Sequence, residues 1–345
     1  MPEFAGCFQR SGRKEWGSAY LRTKLKYMAG IAAVAVMTAG LAAPASATES
    51  ELDVLAAIQE AAPEVLEAVA DVPTDAAGDV AVEVEATGTT TPVEIPVDPS
   101  EGIALGEGDE VIQIGLPNAD DADNAVVEAP GVVSYDNGDG STTVPVVKDD
   151  GSVQITTVIV SADAPTRYEY PLHTPEGATV TLDDATGAIS FTAAEGTWIG
   201  GIAPAWAKDA NGIDVPSRYE LDGNTLTQVV EHDNESAYPV VADPWAGQQL
   251  ISQAWVSSHS RGWVVNVNPT WWGRFYSGGV HLTAHWQELQ NRLQTNVWRL
   301  TSTIREQFYC HVIGNLAEPG TYNMESWRPY KSWSSQLNLW DRCNP

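Results

Sequence analysis

The chain has 345 residues with 46 Asp and Glu against 18 Lys and Arg, a net charge of −28, and this excludes a protein coated in basic nucleic-acid-binding surface. The charge is segregated. Residues 48–245 hold 39 acids and four bases, a net −35, whereas residues 246–345 hold eight bases and five acids, a net +3, with nine of the 13 Trp and two of the three Cys. Such a split predicts regions with different partners, and +3 is too weak for a nucleic-acid binder.

Arg22, Lys24 and Lys26 precede 16 uncharged residues, 28–43, and Ala45-Ser46-Ala47 supplies a small-x-small cleavage pattern. Residues 1–47 therefore read as a secretory signal peptide, with an alternative start near Leu21. The apolar run falls short of the roughly 20 residues that span a bilayer, so no anchor is expected after processing. Removal of Cys7 leaves Cys310 and Cys343 as an even pair in an oxidising compartment. A disulfide is expected, with metal ligation or thiol chemistry as the alternatives.

Residues 48–130 read as an acidic helix followed by a linker. Leu52, Leu55 and Ile58 recur at helical spacing, and Pro63 either kinks this helix or opens a second one. Residues 79–128 are rich in Val, Asp, Glu, Thr and Pro with few aromatics, which predicts partial disorder. An all-β domain is expected over 131–244. Strands at 132–135, 142–148 and 153–161 form a meander, and hairpins follow at 178–192 and 218–232 around Asp- and Gly-rich turns. Those turns lack the alternate oxygens and distal Glu of a calcium loop, so they read as turn chemistry. Residues 238–245 form a Pro-bounded linker.

Residues 246–345 read as a Trp-rich, disulfide-closed α+β domain. Residues 251–256 pair with a strand marked by Trp263, Val265 and Val267 across a loop at 257–262. Leu282, Trp286, Leu289, Leu293, Val297, Leu300, Ile304 and Phe308 then mark one helix, or two broken near Thr295-Asn296. After Gly314 a loop anchored by Trp327, Trp333 and Trp340 is expected. The fold class is thus an α+β C-terminal domain with one disulfide, preceded by an acidic, mostly β N-terminal portion with a partly disordered linker.

The blocks Pro269-Thr270-Trp271-Trp272-Gly273-Arg274, Trp286-Gln287-Glu288, Gln307-Phe308-Tyr309-Cys310-His311, Asn323-Met324-Glu325-Ser326-Trp327-Arg328-Pro329 and Cys343-Asn344-Pro345 resemble an uncharacterised C-terminal domain family of secreted proteins from high-GC Gram-positive bacteria. The resemblance covers about residues 250–345. It implies extracellular location and the cysteine pair, and it carries no activity.

Three constellations could bear chemistry. His281, His285 and Glu288 step along one helix flank and could hold zinc, but Leu282 stands where a metalloprotease pattern needs Glu. The alternative is a solvated flank with a Glu288–Arg292 pair. His311, Glu325 and Arg328 could converge as catalytic residues, an acid or base beside an anion-holding guanidinium. The alternative there is a structural knot in which Glu325 pairs with Arg328. Finally Trp271, Trp272, Phe275, Tyr276, Trp327 and Trp333 accompany Arg261, Arg274, Arg328 and Lys331, a mixture that suits glycans or polyanions once the core has taken its share of Trp. Trp327, Trp271, Trp272 and Arg274 are the binding candidates. No cofactor is expected. The expected function is an extracellular binding module for a cell-envelope glycan, a polyanion or a protein partner. The alternative is a small secreted hydrolase or toxin-like effector with an acidic inhibitory pro-segment.

Overall fold

A computed structural model describes residues 53–87, 90–314, 320–338 and 340–345, and the signal-peptide reading of residues 1–47 lies outside them. Helix α1 (Val54–Ala61) starts where the Asp53 carboxylate accepts from Ala56 N at 2.9 Å. Pro63 opens a separate turn of 3-10 helix, Pro63–Leu66, where its missing N–H is harmless.

Two antiparallel sheets follow. The first runs Val80–Val84, Val93–Pro96, Ile103–Leu105, Ile112–Ile114, Arg167–His173, Thr225–Val230, Ser217–Asp222. The second runs Thr179–Leu182, Ile189–Thr192, Trp198–Ile202, Trp245–Gly247, Val153–Ile159, Ser141–Val147, Val132–Asp136, Val126–Ala129. Val240–Asp243 also joins it, paired to Val153–Ile159 on one side and to Trp206–Lys208 on the other. The sheets share one core, in which Ile95, Ile103 and Ile114 meet Tyr135, Ile155 and Phe191. Each such side chain contributes about 1.5–3 kcal/mol by leaving water. Helix α1 covers the opposite side of the second sheet, setting Val54 and Ile58 on Val144, Val146, Val158 and Val241.

The expected meander and both hairpins are present, but two expected linkers are not. Residues 79–128, expected as partly disordered, supply Val80–Val84, Val93–Pro96, Ile103–Leu105, Ile112–Ile114 and Val126–Ala129. Brief alternations such as Val80, Val82 and Val84 are present, but the strands are short and their apolar residues are covered only when the strands pair. The sheets therefore run straight through the boundary expected at residue 131. Residues 238–245 hold the strand Val240–Asp243, buried at every position. It lies under α1 on one side and over the shared core on the other.

Ile251–His259 and Gly262–Pro269 form a hairpin closed by two residues, so the strands extend into the loop expected at 257–262. Tyr322–Glu325 adds a third strand, where a loop was expected. Helices α2 (Trp271–Phe275), α3 (Leu282–Leu293) and α4 (Ser302–Gly314) pack on this sheet, and α5 (Trp333–Gln336) packs on α4. The predicted stripe divides at Gln294, whose φ is +40°. A 3-10 stretch, Gln294–Arg299, follows and turns Val297 out to solvent. Leu289, Leu293, Ile304 and Phe308 pack on Val265, Val267 and Met324. Cys310 and Cys343 are bonded, S–S 2.03 Å. Trp333 packs on this core, whereas Trp340, expected as an anchor, is 94 % exposed.

The C-terminal part and the sandwich are joined by close packing. A Cβ at Gly247 would overlap the Trp272 ring, and one at Gly201 would overlap the Tyr276 ring, so these two glycines are sockets for α2. The Tyr276 hydroxyl also donates to the Ile189 carbonyl at 2.6 Å. The joint is thus aromatic and hydrogen-bonded. Among the described residues no helix is long and apolar enough to cross a membrane.

Candidate functional site

The three-stranded sheet has one covered face and one open face, separated by the period of two in its strands. Ala254, Val256, Val265, Val267, Tyr322 and Met324 point to the helices. The alternate residues point out, and the register sets them in rows. Trp255 lies opposite Asn266, which lies opposite Asn323, and Ser257 lies opposite Val264, which lies opposite Glu325. Trp255 is 38 % exposed on this face. The Asn266 amide donates to Ser257 Oγ at 3.1 Å, and the Asn268 amide to Gln253 Oε1 at 3.3 Å. The result is a shallow surface of amides and hydroxyls with an aromatic ring in it.

At the hairpin tip the surface rises to a second ring. Trp327 stacks on His259, centroids 4.3 Å apart and planes within 27°, and the Arg261 guanidinium lies 4.7 Å from the Trp327 centroid. Arg261 N donates to His259 Nδ1 at 3.2 Å, which ties the turn to the stack. Gly262 permits this, because a side chain there would strike Ser326 Oγ. Ser326 in turn bonds Trp263 twice through N and Oγ, at 3.0 and 2.9 Å. An exposed cation on a Trp face contributes only about 0.5–1 kcal/mol. The ring is therefore held mainly by backbone closure, and Arg261 is exposed to solvent.

The sequence-predicted residues divide around this surface. Glu325 is bonded by Arg328 Nε, while Gln307 of α4 clasps the Glu325 backbone through N at 2.8 Å and O at 3.0 Å. His311 stacks on Tyr322, centroids 5.3 Å apart. Tyr322 is buried on the covered face and lies three residues, about 10 Å, along the strand from Glu325. Strand alternation thus directs His311 and Glu325 to opposite faces, while Glu325 and Arg328 come together. Trp272 is fully buried in its Gly247 socket. Trp271 is half-exposed, stacked on Phe275 at 4.8 Å. Arg274 donates to the Gly320 carbonyl at 3.1 Å. Of the binding candidates, Trp327 alone belongs to the open sheet face.

The flank of α3 is internal, not solvated. Glu288 accepts from Leu250 N at 2.8 Å, Ile251 N at 3.0 Å and Arg292 Nε at 2.9 Å. Burial raises its pKa, and Arg292 and the amide donors pull it back. His285 is buried with Nε2 2.9 Å from the Tyr276 carbonyl, and His281 stacks edge-on against Tyr276. Among the described residues no cluster of His, Cys, Asp or Glu is placed to hold a metal ion. Burial pushes His285 down to about 4. The folded state therefore refuses a proton that the unfolded chain accepts below about pH 6.5, and stability is lost as pH falls from there toward 4. Measured by urea unfolding against His285→Gln, the wild type should lose up to about 1.4 kcal/mol per pH unit in that window. A constant difference between the two proteins would disprove it.

Trp255 and His259 were not among the binding candidates. Their signal was the alternation Gln253, Trp255, Ser257, His259 against Ala254 and Val256, which places a Trp among polar residues on an outward face. A DUF2599 domain, described as a protein of unknown function, covers residues 251–345, and these span the hairpin, the third strand and helices α2 to α5. No curated protein and no solved structure matches the chain.

Proposed function

We propose that the protein is an extracellular binding module of a high-GC Gram-positive bacterium, and that it holds an anionic envelope glycan on the open face of its C-terminal sheet. The observation that carries this reading is the Arg261 guanidinium held over Trp327, which also stacks on His259, at one end of a surface that presents the exposed Trp255. A sugar ring stacks on the exposed Trp255, the amides of Gln253, Asn268 and Asn323 meet hydroxyls, and Arg261, held by Trp327, meets carboxylate or phosphate. Export is supported by the apolar segment ending in Ala45-Ser46-Ala47 and by the bonded cysteines. The hydrolase or toxin reading draws less support. Glu325 is engaged by Arg328, and an inhibitory segment that leaves would have to strip Trp272 and Tyr276 from their sockets.

The test is retention of the purified mature protein on cell-wall polymers at low ionic strength. Trp327→Ala and Trp255→Ala should each weaken it about tenfold, close to 1.4 kcal/mol. Arg261→Gln should weaken it and flatten its salt dependence. Equal retention of wild type and Trp327→Ala would sink the proposal.

A further inference from the structure

On the outer face of the second sheet, away from the C-terminal sheet surface, a recess of about 500 Å³ is walled by Trp206, Trp245 and Trp271. The register explains why these rings meet. Trp206 pairs with Asp243 and Trp245 with Gln154, and Gln154 Nε2 donates to Asp243 Oδ2 at 2.7 Å, so all four side chains share one face. Helix α2 then brings Trp271 to 4.8 Å from Trp245 and leaves it 40 % exposed. Trp245 is fixed by its own N–H, which donates to Ser152 Oγ at 2.9 Å.

The rim is acidic: Glu64, Glu67, Asp149 and Asp150 line it. The one base among the lining residues, Lys148, is buried, donates to the carbonyls of Val65 and Glu67 and offsets one of these four negative charges, so the recess stays net acidic. Ring faces beside carboxylates reject anions and attract cations, most of all cations that are weakly hydrated and carry no N–H in need of a partner. The edge of the recess already shows this pairing, for Lys208 Nζ lies 5.7 Å from the Trp206 centroid while bonded to Glu64. The volume falls within the range of small-molecule sites, roughly 300–1,000 Å³.

We infer that this recess is a binding site for an alkylammonium group, with a quaternary ammonium as its best occupant. Trp245 and Trp271 supply the faces, and Glu67 and Asp149 supply the attraction. It is independent of the glycan surface and combines elements of the sandwich and of the C-terminal part.

The experiment uses the mature protein and choline chloride as the probe, with sodium chloride at matched ionic strength as the reference. Tryptophan fluorescence and melting temperature are followed together. Choline should give a saturable change at millimolar concentration that sodium chloride does not give. Trp271→Ala should raise the half-saturation at least about tenfold, the loss of one cation–π face and its packing. Because Trp271 also stacks on Phe275, the double variant Glu67→Gln/Asp149→Asn, which changes only exposed carboxylates, provides a second reading and should raise it several-fold. Trp340→Phe, in the exposed tail, should bind as wild type and identifies the reporting rings. A response equal to that of sodium chloride, or unchanged half-saturation in both Trp271→Ala and the double variant, would overturn the inference.

Discussion

Glu288→Ala should destabilise the protein by about 3 kcal/mol, read as a fall in the urea midpoint with an unchanged slope. The carboxylate receives Arg292 through Nε at 2.9 Å and Nη2 at 2.8 Å, and it caps the amides of Leu250 and Ile251 where the chain leaves the sandwich and enters the C-terminal hairpin. The Arg292 side chain is only 7 % exposed. Truncating its partner deprives a covered cation of its carboxylate, leaving the bond to Gln249, and deprives two backbone donors of their acceptor, and that desolvation, more than the pair's own attraction, sets the size of the effect. Glu288→Gln keeps an acceptor and should cost less. Adding Arg292→Ala to Glu288→Ala should recover part of the loss. A change within about 0.5 kcal/mol, ordinary for an exposed position, would mean that the carboxylate is free for another task, and the metal reading of His281, His285 and Glu288 would return.

Reducing the Cys310–Cys343 bond should cost about 3–4 kcal/mol, the loop-entropy value for a sequence separation of 33 residues. Cys310 is fully buried in α4, so the bond fastens the C-terminal tail to the centre of the domain. Near its other end that tail is held by the Lys331–Asp341 pair and by Gln336, whose amide donates to the Lys331 carbonyl at 2.6 Å. A Cys310→Ser/Cys343→Ser variant should therefore melt lower, and its tail should be cut by protease before the sandwich is. In protein from its native host, Cys310 and Cys343 should show no free thiol. Two titratable thiols in that material, or an unchanged melting temperature on reduction, would refute the assignment.

Features that depend on neighbours along the chain are legible in the sequence itself. The hairpins at 178–192 and 218–232 declare themselves by alternation around Asp and Gly, helices α3 and α4 by the stripe from Leu282 to Phe308, and the cysteine pair by count. Residues 79–128 and 238–245 depart from the linkers expected there for opposite reasons. The first are strands so short and so diluted by acidic turns that their burial exists only after pairing across the sheet. The second is a strand covered on both faces, which erases the period of two that marks a half-buried one.

The candidate site divides in the same way. That Trp255 and His259 point outward was written in the alternation of residues 253–259. Tertiary packing alone decided which tryptophans remain outside: Trp272 disappears into a socket because Gly247 has no side chain, while Trp327 stays on the rim because Gly262 lets Ser326 close over the hairpin. Packing likewise parted His311 from Glu325, since α4 lies on one face of the strand Tyr322–Glu325 and alternation sends the glutamate to the other. Composition reports how many rings and charges the chain owns. Which of them meet depends on contacts between residues far apart in sequence, and those exist only once the sheets and helices have packed.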